Sequence, residues 1–279
     1  LQGLRDAQES RGLGDVYKRQ LYDEPTIPEI KISDLASFIK DNFSVDVVIN
    51  DNFFLDLNKS EVKLLTKTRM FDIYKQKISY EPEKHITNFE EQLCKNSSIM
   101  EKTTKIEDAE NISEVVMYDG FEMQKFLRNQ IRYTRNDTLH IIFTNRLTCT
   151  FDESDYRYHG RAVICANPAI ISTTGIIEAP AKSKEFYIQA MANKSQGLDI
   201  NSVKEQHKGE FLEYHDERLA KIIEGYVLQI IFYNITGESF CEYLDCRLNN
   251  AHWQRDLLYS QIEVSKLCEK HQMILDMQK

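Results

Sequence analysis

Between Leu219 and Tyr233 the chain reads LAKIIEGYVLQIIFY, and its second half is apolar almost all the way round a helix. Leu219, Ile222, Ile223, Tyr226, Ile230 and Tyr233 share one helical face. A helix of this kind has to be covered on most sides, so it demands a layered fold. Asp216 and Glu217 supply negative charge where a helix N-terminus favours it, and Gly237 suits a left-handed C-terminal cap. The spacing therefore predicts a buried helix over Asp216–Ile235. Gln229 interrupts the apolar run, and nothing approaches the roughly 18–20 uninterrupted apolar residues of a membrane span.

What covers this helix is a mixture of strands and helices. Ser33 can cap a helix carrying Leu35, Phe38 and Ile39, and Val45–Ile49 reads as a short buried strand. Ser60 to Tyr74 is helix-like, as is Gly120–Ile131. Leu139–Phe143 and Ala162–Cys165 are strands separated by a polar, hairpin-like stretch, Asp152–His159. A further helix is expected after Pro180, residues 194–213 look like loop, and Asn250 is placed to cap a helix reaching about Leu267. Residues 80–112 are polar without clear period and read as an insertion within one domain spanning 21–279. The fold class expected is α+β, a mixed sheet packed with helices.

The first twenty residues stand apart. DVYKRQ (Asp15–Gln20) is what one frame of a common transposase sequencing adapter encodes, and LQGLRDAQESRGLG before it lacks an apolar period. Residues 1–20 are therefore expected to be non-native and not to pack on the core, with a native first strand displaced. A net charge of −9 argues against a duplex nucleic-acid partner. Arg132, Arg135 and Arg146 beside Tyr133 are expected at the surface, where they could at most touch an anionic or single-stranded ligand. Without a signal peptide or evenly spread cysteines, the cytoplasm is the expected compartment, with no membrane association.

The chemistry concentrates at the C-terminal end, in residues 238–279. Cys241-x4-Cys246 and Cys268-x2-His271 are two close pairs joined by a connector long enough for a helix. Three thiolates and an imidazole suit a closed tetrahedral zinc site, and four protein ligands leave no position for water. Such a zinc is structural. Ordinary buried thiols are the alternative, and Cys94, Cys149 and Cys165 are read that way.

The buried helix, Gly237, FCEYLDCRL and LCEKHQMIL are together similar to the C-terminal half of archaemetzincins, whose pattern is HExxHxxGxxHCxxxxCVM with a closing CxxC. His140–Ser172 resembles the strand, surface segment and edge strand that precede the catalytic helix in that family. YDGFEMQKFLR, IIEAP, ITGESFC and NAHWQ resemble segments of a related archaeal group of metallopeptidase type and unknown function. The resemblance implies a metzincin-like fold, a zinc-stapled end and peptide hydrolysis. Setting Cys241 on the motif's Cys puts Gly237 on its Gly, but the histidine positions fall on Ile230, Asn234 and Phe240 and the glutamate on Ile231. Neither Ile nor Phe binds zinc, and Ile231 cannot activate water. Leu248 replaces the motif's Met and His271 its last Cys. The expectation is a metallopeptidase-type chain with a degenerate or relocated catalytic site, no assigned catalytic residue, and a retained structural zinc; a second, catalytic zinc is not supported. The alternative is a non-enzymatic scaffold that binds a peptide or protein. His215, Asp216, Glu217 and His252, or His159 with Asp155, are the residues that a relocated site would draw on.

Overall fold

The computed structural model describes residues 18–23, 27–95, 116–131 and 137–278. Strands β1 (Lys18–Tyr22), β2 (Val47–Asn50), β3 (Arg69–Met70), β4 (Met117–Asp119), β5 (Thr138–Thr144), β6 (Leu147–Asp152), β7 (Arg157–Arg161), β8 (Val163–Ile164) and β9 (Ala169–Ser172) form two mixed sheets. The first has the order β2-β1-β5-β9-β8, and the second β3-β4-β6-β7. In the first sheet β2, β1, β5 and β9 run parallel and only the edge strand β8 is antiparallel. All seven residues of β5, TLHIIFT, are buried, as expected of a central parallel strand covered on both faces.

Helices α1 (Ile32–Phe43), α2 (Lys59–Thr66), α3 (Lys84–Lys95), α4 (Gly120–Gln130), α5 (Thr173–Glu178), α6 (Lys184–Ser195), α7 (Asn201–Gln206), α8 (Leu219–Thr236), α9 (Gln254–Leu258) and α10 (Glu269–Asp276) pack around these sheets. One core joins Leu21, Leu139, Ile141 and Ile171 to α1 and to Ile222, Ile223, Val227, Ile230 and Ile231 of α8. A second, on the opposite face, joins Ile142, Ile164 and Ile170 to Phe54, Leu65, Tyr118, Met123 and Leu127. The long apolar helix thus lies against the first sheet, and Gly237 at φ 82° closes it, as its sequence requires.

Several expectations are corrected. Lys18–Gln20 do not stand clear of the core: they belong to β1, hydrogen-bonded between β2 and β5, and Arg19 is buried. Ladder bonds use backbone groups alone, so that slot accepts side chains of any origin. Residues 1–17 lie outside the described residues, as do Arg132, Tyr133 and Arg135. Val47–Asn50 is an edge strand, paired only with β1 among the described residues, and Val48 and Ile49 are exposed. Ser60–Tyr74 divides into α2, capped by Asn58 with Glu61 completing a capping box, and β3. Ser33 lies inside α1 and Lys31 is its cap. Residues 194–213 include α7, and the helix expected from Asn250 starts at Gln254 and passes into a π-helical turn, Tyr259–Val264.

The polar insertion differs most. Its residues Lys84–Lys95 form α3, with Glu90, Leu93 and Cys94 buried; residues 96–115 lie outside the described residues. Arg146, expected at the surface, is 1% exposed in the corner where the chain leaves β5 for β6. Its Nε donates to Glu90 Oε1 at 2.9 Å, and Tyr118 donates its hydroxyl to Glu90 Oε2 at 2.6 Å. The guanidinium lies 4.1 Å from the centre of the Phe54 ring. A charge withdrawn this far from water persists only when paired and hydrogen-bonded, so α3 is part of the fold.

Candidate metal centre

After Gly237 the chain turns into a loop that closes on itself. Cys241 N donates to Leu248 O, Cys246 N to Tyr243 O, and Asn249 Nδ2 to Cys241 O. These bonds aim two thiols inward from either end of a short loop. Arg247, beside Cys246, bolts the loop to its surroundings: Nη2 donates to Lys221 O at 2.6 Å, Nη1 meets Glu224, and Nε donates to Gln261 Oε1 at 3.2 Å. Gln261 returns a 2.6 Å bond to Arg247 O and packs directly over Gly225, where an added Cβ would come within 1.9 Å of its Oε1. Glycine at 225 is what lets this carboxamide reach the loop.

Cys268 begins α10, and His271 follows one turn later on the same side. The fold brings all four expected residues together, with their ligand atoms within 4.8 Å of one another. Cys241 Sγ and Cys268 Sγ are 3.9 Å apart, and His271 Nδ1 is 3.7 Å from Cys246 Sγ and 3.0 Å from Cys268 Sγ. A tetrahedral zinc with ordinary bond lengths separates sulfurs by roughly 3.8 Å and sulfur from nitrogen by roughly 3.5 Å. The donor set fits such an ion. The Cys268 amide also donates to Cys246 Sγ at 3.4 Å, the kind of bond that steadies a thiolate ligand.

The electrostatics fit a cation as well. Burial pushes the Cys246 thiol up to about 12 and raises Cys241, so neither ionises readily without a positive charge beside it. Burial, with Lys270 adding to it, lowers His271, which favours the neutral imidazole that a metal needs. Phe232 of α8 meets the His271 ring edge-on at 5.5 Å, tying the centre to the main core.

A cleft of about 420 Å³ lies between the edge strand β8 and helix α8. Its walls include Val163, Ile164 and Cys165 on one side and Tyr226, Gln229 and Tyr233 on the other, with Phe240 and His252 at the rim. Of the four metal-centre residues, none lines it. Ile230 and Ile231 are fully buried in the core, and Phe240 lines the cleft, 41% exposed. Among the residues considered for a relocated site, only His252 reaches the cleft. His215 meets Glu29 at 3.3 Å, Asp216 pairs with Arg218, and Glu217 is exposed.

Asp152, Asp155 and His159 do converge, on the β6–β7 hairpin, with ligand atoms within 4.8 Å. They are the one other such group of three among the described residues, and they line neither wall of the cleft. Sequence reasoning missed the Glu90–Arg146 pair, whose partners are 56 residues apart with no local signature. Gln229 had a signal: it is the single strongly polar side chain between Tyr226 and Tyr233.

No helix among the described residues is long and apolar enough to cross a membrane. Neither the curated proteins nor the solved structures offer a match to this chain. The sequence does match the Probable metallopeptidase family (DUF6775) over residues 15–278. The match runs from the β1 region through α10 and takes in the Cys/His centre and both walls of the cleft, so this chain belongs to that family.

Proposed function

We propose that this chain is a peptide-binding member of the family in which zinc at Cys241, Cys246, Cys268 and His271 is structural and the cleft holds its ligand without a catalytic metal. One observation carries the reading: the buried ligand set and the cleft share no residue, and among the described residues the cleft wall offers a single imidazole, His252, and no carboxylate. Hydrolysis by a zinc-activated water needs ligands and a general base around one open position.

Peptide is the ligand that the cleft's wall favours. In the antiparallel pairing of β8 with β9, Ser172 N donates to Ala162 O, so the alternation turns the N–H and C=O of Val163 toward the open edge. An extended chain can add there as a further strand. The antiparallel edge strand, the buried helix ending at Gly237 and the following cysteine pair also support the archaemetzincin-like kinship, with the catalytic positions degenerate. Free thiols as ligands favour a reducing compartment, the cytoplasm. A nucleic acid or membrane partner is no part of this reading.

The test combines metal analysis, anomalous scattering and a peptidase assay on quenched-fluorescence peptides. One zinc per chain at the Cys/His centre and no turnover is the expected result. A second metal in the cleft, or turnover abolished by chelator, overturns it. A second reading, a hydrolase with a relocated metal, draws on the partly exposed Asp152/Asp155/His159 group, and a metal found there would favour it.

A further inference from the structure

Gln229 is 2% exposed, in the middle of the most apolar helix of the chain, and it lines the cleft. Its orientation is set from outside the helix: Nε2 donates to Asn249 O at 3.2 Å, which leaves Oε1 as the other end of the carboxamide. Oε1 has no hydrogen-bond partner among the described residues. Buried amide oxygens are seldom left so, and one placed on the wall of a cleft is positioned to accept from a ligand's donor.

The charge lining the cleft is just as uneven. Among the described residues Arg161 is its one permanently charged side chain, held by a 2.7 Å bond from Nε to Thr150 Oγ1, and no Asp or Glu lines it. The chain as a whole carries −9. A locally positive cleft on an acidic protein selects an acidic ligand at that one place and disfavours it elsewhere. Phe121, Tyr233 and Phe240 expose aromatic surface along the same cleft, which suits the side chains of an extended peptide.

From these observations we propose that the cleft recognises an extended acidic peptide, one backbone N–H of which donates to Gln229 Oε1 while an Asp or Glu side chain of the peptide faces Arg161. The proposal rests on the peptide-binding reading above and adds to it the charge of the ligand and the atom that reads its backbone. Gln229 is here a binding residue on the cleft-lining face of the buried helix.

The test is selection of a random peptide display library on the full zinc-loaded chain, followed by a backbone N-methyl scan of the enriched peptide. The proposal expects enrichment of an acidic position, and a roughly fivefold loss of affinity when that position is changed to Lys. One N-methyl should weaken binding to the natural chain roughly tenfold and have no effect on Gln229→Met, which keeps the volume and removes the acceptor. Should Gln229→Met not fold, Arg161→Gln serves: it should erase the acidic preference and leave the N-methyl effect intact. Enrichment of basic or charge-indifferent sequences, an N-methyl effect equal on the natural chain and Gln229→Met, or an acidic preference that survives in Arg161→Gln overturns the inference and leaves peptide binding standing. No enrichment at all overturns both.

Discussion

The Cys241/Cys246/Cys268/His271 centre draws its ligands from two segments of chain and buries most of them, whereas Asp152, Asp155 and His159 come from one hairpin and stand near solvent. In the buried centre a cation would relieve two thiols, Cys241 and Cys246, whose ionisation burial opposes. In the exposed group the charges already have company: Asp155 is bonded by His159 and Arg157, and Asp152 accepts from Ser154. The first arrangement joins α10 to the loop after α8, so an ion held there would become part of the fold. The second joins a hairpin to itself, and the fold gains little whether or not an ion binds there. Proximity of ligand atoms is common to both; what separates them is how much chain each contact closes and how few other partners its atoms have.

That contrast can be broken most directly by removing the metal. Chelation, or Cys246→Ser, is expected to lower the urea unfolding midpoint by an amount equivalent to several kcal/mol of unfolding free energy, a fraction of the roughly 10–16 kcal/mol that structural zinc contributes in small domains. An unchanged midpoint would make the thiols ordinary core residues. The buried Glu90–Arg146 pair sharpens the same point without any metal. Glu90→Gln takes the Glu90 charge away from a guanidinium that is 1% exposed and should cost ~3–5 kcal/mol in denaturant melts, while the double change Glu90→Leu with Arg146→Met should recover much of it. Equal losses in the single and double variants would mean that packing, not charge, sets the cost.

Gly225→Ala probes the support of the centre. The new methyl would displace Gln261, which holds Arg247 beside the Cys246 ligand. Overpacking of this sort costs ~1–3 kcal/mol, offset by up to ~1 kcal/mol of helix propensity. A weaker hold on zinc in a competition with a colorimetric chelator is the specific readout, since a purely helical effect would not move it. The smallest effect is expected at Asp155→Asn, a shift of the melting midpoint no larger than that of an ordinary surface substitution. His159, then Arg157, holds the Asp155 carboxyl below its usual value. Its contribution is therefore present above the ordinary Asp range and fades as pH falls through that lowered value, so Asp155→Asn should flatten the acid limb of a stability profile slightly. A large loss of stability at neutral pH would place the hairpin group among the structural ones.

Much of this molecule could be read along the chain. The all-round apolar face of Leu219–Tyr233 and the glycine that ends it sufficed for a buried helix, because helical period and a left-handed cap are properties of a few adjacent residues. The two ligand pairs were legible for the same reason, each pair lying within one turn or loop. Val45–Ile49 is recognisable as a strand and not as the edge that Val47–Asn50 forms, since β-branched residues mark extended backbone and say nothing of how many neighbours it has. Residues 80–112 read as a polar insertion, and the helix inside them is hidden because α3 buries the charged Glu90, which only its partner makes tolerable.

Local order, then, belongs to short stretches of sequence: which residues coil, which turn, and which carry soft ligands. Whether Cys241 and Cys268 meet, whether Arg146 finds Glu90, and whether β8 is left with an open edge beside Gln229 depend on packing across tens to more than a hundred residues. Those contacts are set by the sum of many weak burial terms over the whole core, and no one stretch of the chain contains that sum.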